Sequence, residues 1–139
     1  MPPLTRWFIK SSLLFLVLAG LAAFLQAANS LFSLAPLFSV IGPVYFHIFL
    51  VGWITQLIFG VVFWMFPKAS MQKPRGSESL GWASFALLNM GLVLRIFSEP
   101  INSLSPSVGW GWLLVLSAVL QWLAGLTFVA NTWQRVKEK

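Results

Sequence analysis

Between Pro43 and Lys68 the chain reads PVYFHIFLVGWITQLIFGVVFWMFPK, an apolar run opened and closed by proline and uncharged until its final lysine. A helix rising about 1.5 Å per residue crosses about 30 Å of hydrocarbon in roughly 20 residues, so this run is long enough to span a bilayer. It also carries the only histidine, His47. With 58% hydrophobic and 9% charged residues, the rest of the sequence is too apolar for a water-soluble domain of ordinary composition. The expected fold is all-α and integral to a membrane, a single four-transmembrane-helix bundle over residues 1–139 with helices near 7–28, 43–66, 79–98 and 108–133.

The first run, Trp7 to Ala28, has Arg6 before it and Lys10 within it. It has the outline of a signal peptide, but we expect a retained helix in which Lys10 snorkels to the interface and Ala19, Gly20, Ala22, Ala23 and Ala27 permit close packing. The uncharged connection from Asn29 to Gly42, with Phe32, Pro36, Phe38 and Ile41, reads as a segment lying in the interface. The third run is expected to stop at Glu99-Pro100, because proline lacks an amide donor and disfavours helix in the residue before it.

Charge sets the expected orientation. Arg6, Lys10, Lys68, Lys73, Arg75, Arg135, Lys137 and Lys139 fall at the amino terminus, the second connection and the carboxyl terminus, and only Arg95 falls elsewhere. By the positive-inside rule both termini face the cytoplasm, which makes the chain a multi-pass protein of a prokaryotic plasma membrane. Trp7, Trp64, Trp82 and Trp133 then lie near the inner interface, and Trp110 and Trp112 near the outer one. Scattered at segment ends, these cations do not form a nucleic-acid surface, so no nucleic acid is expected as a partner.

Several chemistries are disfavoured at once. The chain has no cysteine and no aspartate, and its only acids are Glu78, Glu99 and Glu138. Thiolate metal sites, paired-carboxylate catalysis and a serine triad are therefore not expected.

The polar groups inside the apolar runs carry the remaining information. His47 and Gln56 are nine residues apart, about 180° around an ideal helix. Gly52, Gln56 and Gly60 form a four-residue-spaced stripe suited to a neighbouring helix. On the third run Gly81, Ser84, Leu88, Gly91 and Arg95 share a face, with Glu99 one turn beyond as the natural partner of Arg95. Ser117, Gln121 and Asn131 on the fourth run, and Asn89 on the third, are read mostly as interhelical hydrogen bonds, and Met90 as core filling rather than an axial thioether ligand.

For His47 two readings stand side by side. It is either an interfacial histidine bonded to its neighbours or a cofactor ligand. The second and third helices run in opposite directions, which puts His47 and Arg95 at similar depth, about one turn below the outer surface. A haem ligated by His47 would place its propionates where Arg95 can make charge-assisted hydrogen bonds.

Pro43, His47, Gly52 and Trp53, followed by Gly60, Trp64 and Lys68, make a pattern that resembles the second helix of the haem-copper oxidase catalytic subunit, especially the cbb3-type and nitric oxide reductase branch. In that family the histidine matching His47 is an axial ligand of the low-spin haem. The family's core is built of three four-helix arcs, each with its haem or metal histidines on the second helix. By that likeness this chain resembles a single arc, and a homotrimer would regenerate the core, with a dimer sharing haem between two His47 side chains as the nearest rival. The copper-site histidines and proton-channel carboxylates have no counterpart here. What the resemblance implies is binding of haem b, in electron transfer or in handling O2 or NO. Two alternatives remain: a cofactor-free accessory or assembly subunit with a respiratory-chain partner, and a symmetric oligomer in which copies of His47 converge on copper or zinc.

Overall fold

The computed structural model describes residues 1–71 and 74–136, so Lys73, Lys137 and Lys139 of the charge pattern lie outside the described residues. Among them there is no strand. Helix α1 spans Pro3–Phe32, a single turn α2 spans Pro36–Ser39, α3 spans Gly42–Met65, α4 spans Glu78–Leu104 and α5 spans Val108–Thr132, followed by a 3-10 turn at Trp133–Arg135. Four of these, α1, α3, α4 and α5, are long and apolar enough to cross a membrane.

Local chemistry sets most of the boundaries. Ser77 and Ser107 cap α4 and α5, their Oγ atoms accepting from the amides of Leu80 at 3.4 Å and Trp110 at 3.3 Å. Pro67 forces Phe66 into an extended conformation and ends α3. One expected boundary is corrected: α4 does not stop at Ser98 but continues through the buried Pro100 to Leu104. Proline deletes one helical hydrogen bond but cannot stop a helix whose flanking turns are otherwise satisfied. Here Pro100 and Ser98 are buried against the bundle, and Ser98 Oγ and Ser103 Oγ donate to Leu94 O at 2.7 Å and Glu99 O at 2.9 Å, so the hydroxyls flanking the proline are satisfied within the helix. The expected interfacial segment is likewise shorter than 29–42, since α1 runs on to Phe32 and Ser33 turns the chain in the left-handed region at φ 49°.

The bundle consists of two antiparallel hairpins, α1 on α3 and α4 on α5. In the first, a Cβ at Gly60 would lie 2.8 Å from Phe8 Cβ, and one at Gly52 would lie 2.8 Å from Phe15 Cγ. The missing side chains let phenylalanines of α1 sit directly on the α3 backbone. In the second, Ser84 Oγ donates to Ala124 O at 2.9 Å and Ser117 Oγ to Gly91 O at 2.7 Å, both fully buried. These are backbone-to-hydroxyl ties between helices in close contact. Gln121 differs from expectation: its Nε2 bonds Ser117 Oγ within its own helix.

The hairpins are joined by aromatic contacts near the chain termini. Phe8 stands edge-on to Phe85 with centroids 5.1 Å apart, and Phe59 stacks on Phe128 at 3.7 Å. Only a thin core is enclosed, with Phe8, Phe15, Phe63, Leu88, Leu92 and Ala124 at its centre. Outward lie Leu14, Val17, Phe24, Val115, Trp122 and Val129, an apolar exterior far larger than the patches a monomer in water displays.

Midway along α3 the backbone is a π-helix, Ile48–Thr55, and Thr55 Oγ1 donates to Leu50 O, five residues back, at 2.9 Å. The reason lies in the spacing of what must be buried. Val44, Ile48, Gly52, Gln56 and Gly60 recur every four residues, and at 3.6 residues per turn such a row drifts about 40° per step around the helix. The wider π turns remove part of that drift and keep the row against α1.

Candidate functional site

His47 closes the last α-helical turn before the π-helix. Its Nδ1 lies 3.0 Å from Pro43 O, one turn back. A carbonyl can only accept, so the ring carries its hydrogen on Nδ1, and in the neutral imidazole Nε2 is left as a bare lone pair. No described residue bonds Nε2, and about a third of the side chain, 32%, is exposed.

Across from it, α4 supplies an ion pair. Arg95 Nε donates to Glu99 Oε2 and Arg95 Nη2 to Glu99 Oε1, each at 3.2 Å, a two-point fork between residues one helical turn apart. Glu99 Oε2 also lies 3.9 Å from His47 Nδ1, too far for a hydrogen bond but close enough to place a carboxylate beside the ring. The sequence-predicted residues His47 and Arg95 therefore belong to one cluster, with Glu99 between them. Among the described residues no three His, Cys, Asp or Glu side chains gather to hold a metal ion, and those brought together here are His47 and Glu99.

On the other flank of α3 lies an apolar cavity of about 410 Å³, lined by Leu18 and Leu21 of α1, Val44 and Ile48 of α3, and Ile96 and Pro100 of α4, among others. His47 is not in its lining. A ligand on His47 would sit on the partly open face of α3, and the cavity is a separate feature.

Deeper in the bundle Gln56 is fully enclosed, at 0% exposure, on a different face from His47. Its Nε2 donates to Asn89 Oδ1 at 3.2 Å, Asn89 Nδ2 donates in turn to Phe85 O at 2.8 Å, and Gln56 Oε1 has no partner among the described residues. Met90, next to Asn89, is 58% exposed on the outside of the bundle. Its reading as core filling is thus corrected: the turn that points Asn89 inward at Gln56 points Met90 away. It is also no part of the His47 cluster.

The end of the bundle near the termini holds a group that sequence reasoning treated only as a topology charge. Arg135, 1% exposed, donates from Nε to Pro67 O at 3.0 Å, from Nη1 to Phe63 O at 3.1 Å and from Nη2 to Phe66 O at 2.7 Å. It also lies over the Phe63 and Phe66 rings at about 6 Å. These are carbonyls left without amide partners at the end of α3, where the helix dipole is negative, so one guanidinium caps α3 from the far end of the chain. Asn131 locks the same end, its Oδ1 accepting from Ser77 N at 2.7 Å. Set against family models, curated proteins and solved structures, the chain matches none of them.

Proposed function

We propose that this chain is a multi-pass protein of a prokaryotic plasma membrane, with both termini in the cytoplasm, that binds haem b through His47 and serves electron transfer or the handling of O2 or NO. The membrane placement is supported by the four long apolar helices and by the gathering of Arg6, Lys10, Lys68, Arg75 and Arg135 toward one end, whereas Arg95 at the other end is neutralised by Glu99.

The observation that carries the haem reading is the Nδ1–H bond from His47 to the Pro43 carbonyl. Histidines that ligate iron commonly donate their other ring N–H to a carbonyl or carboxylate, which fixes ring orientation and aims the Nε2 lone pair outward. His47 has both kinds of group nearby, Pro43 O and the Glu99 carboxylate. Arg95 Nη1 has no partner among the described residues and supplies donors for a propionate. When bound, haem would supply a one-electron redox centre or a binding position for a diatomic gas.

Since His47 is partly exposed on the outside of α3, the second side of a macrocycle would be covered by another copy of the chain. A homotrimer is the arrangement favoured by the resemblance to one oxidase arc, with a dimer next. Copper or zinc in place of haem would require several copies of His47 to converge, because the described residues of one chain gather no three such ligands.

A second reading, a cofactor-free accessory subunit of a respiratory complex, is favoured by one specific feature. Arg95 and Glu99 neutralise each other and His47 Nδ1 has its carbonyl, so the charges of the cluster balance without a ligand, and His47 Nε2 and Arg95 Nη1 would then meet headgroups or a neighbouring subunit. Purification from cells supplied with haem precursors decides between them. A Soret band lost in His47→Ala supports haem; a colourless, metal-free protein that co-purifies with oxidase subunits supports the accessory role.

A further inference from the structure

At the opposite end of the bundle from His47, the first turns of α1 form a small recess of about 280 Å³ bordered by Pro3, Arg6, Trp7 and Lys10. Arg6 and Lys10 are one helical turn apart and exposed, and no acidic side chain among the described residues pairs with either. Between them Trp7, 56% exposed, has its ring held edge-on against Phe85 of α4 at 6.3 Å.

The face continues inward in a definite way. Arg6, Lys10, Leu14, Val17 and Leu21 follow one another at spacings of three and four residues, so two cations sit at the head of a stripe of exposed aliphatic side chains. A ligand matching that face has an anionic head and a long hydrocarbon tail. We infer that this recess binds the headgroup of an anionic phospholipid, its phosphate held between the Arg6 guanidinium and the Lys10 ammonium and one acyl chain lying along Leu14, Val17 and Leu21.

The physical case has three parts. Unpaired Arg and Lys beside a bilayer attract anionic headgroups, each cation accounting for about fivefold in affinity. A tryptophan fixed beside them sits where indoles settle, at the boundary of headgroup and tail. Long basic side chains at this depth extend toward the headgroups while their stems lie on apolar surface. The inference rests on the membrane reading and not on haem, since Arg6 and Lys10 are at the far end of the bundle from His47.

The test uses the full chain in nanodiscs of equal phosphatidylglycerol and phosphatidylcholine, with the lipids retained on the protein counted by native mass spectrometry. The wild type is expected to retain phosphatidylglycerol at least fivefold over phosphatidylcholine, Arg6→Gln/Lys10→Gln to lose most of that preference, and Arg6→Lys/Lys10→Arg to keep it. Equal retention of the two lipids by the wild type, or a preference undiminished in the double glutamine variant, overturns the site and leaves the membrane reading standing. Displacement of the bound lipid by millimolar inorganic phosphate also overturns it, because the site would then be one for a free anion. Failure to enter any nanodisc overturns the membrane reading and this inference together.

Discussion

Removing Arg135 is the most informative structural perturbation, because its role depends wholly on tertiary geometry. The side chain is 1% exposed and donates to three carbonyls, those of Phe63, Phe66 and Pro67, at 2.7 to 3.1 Å. A hydrogen bond involving a charged group contributes about 1.5–3 kcal/mol, which for these bonds gives a gross loss of at least about 4.5 kcal/mol. Water reaching the freed carbonyls at the bundle end offsets part of this, and the stacking of the guanidinium over Phe63 and Phe66 is lost as well. Arg135→Met is therefore expected to destabilise the folded bundle by about 3–5 kcal/mol. Arg135→Lys, with a point ammonium in place of a planar fork, should recover less than half. Reversible unfolding in mixed detergent micelles, followed by tryptophan fluorescence, measures both. A loss under about 1 kcal/mol for Arg135→Met, within the range of ordinary surface changes, would refute the capping argument.

Other consequences follow from the packing and from the ion pair. Gly60→Val places branched carbon where even a Cβ lies 2.8 Å from Phe8, so it should cost about 1–3 kcal/mol in the same unfolding assay, while the same change at Gly20, which has open space, should cost far less. Glu99→Gln leaves Arg95 with a neutral partner in a part-buried position and should lower stability by about 1–2 kcal/mol; adding Arg95→Gln should recover most of it, and a fully additive double-mutant cycle would deny the coupling. Asn131→Ala removes the acceptor of the Ser77 amide at the start of α4 and should cost about 1–2 kcal/mol, with hydrogen exchange at Ser77 accelerated; unchanged exchange there would count against the tie.

What could be read in advance depended on whether the cause was local. The proline that closes the second apolar run marks a helix stop because it acts through its own backbone, and the structure follows it; the caps Ser77 and Ser107, which are equally local, went unread. Pro100 misled for the opposite reason: its cost to α4 is one hydrogen bond, outweighed by the burial of Pro100 and Ser98 in the packed bundle. The Gly52–Gln56–Gly60 stripe was legible as a packing face. Its strict four-residue repeat also held the signal of the π-helix, since no α-helix keeps that row in line for long. Arg135 was legible only as a charge, because the carbonyls it caps lie 68 to 72 residues earlier in the chain. For the candidate site, depth alone placed His47 near Arg95, but the Pro43 bond that sets the tautomer and the interposed Glu99 required the helices to be set against each other.

The central claim is that His47 presents Nε2 to a haem iron. Its most direct test is the optical spectrum of the purified full-length protein, oxidised and dithionite-reduced, alongside His47→Ala and Arg95→Gln. The account predicts a Soret band with sharpened α and β bands on reduction in the wild type, absent in His47→Ala and retained with a shifted midpoint potential in Arg95→Gln. A folded wild type without haem absorbance, or a spectrum unchanged by His47→Ala, would contradict it.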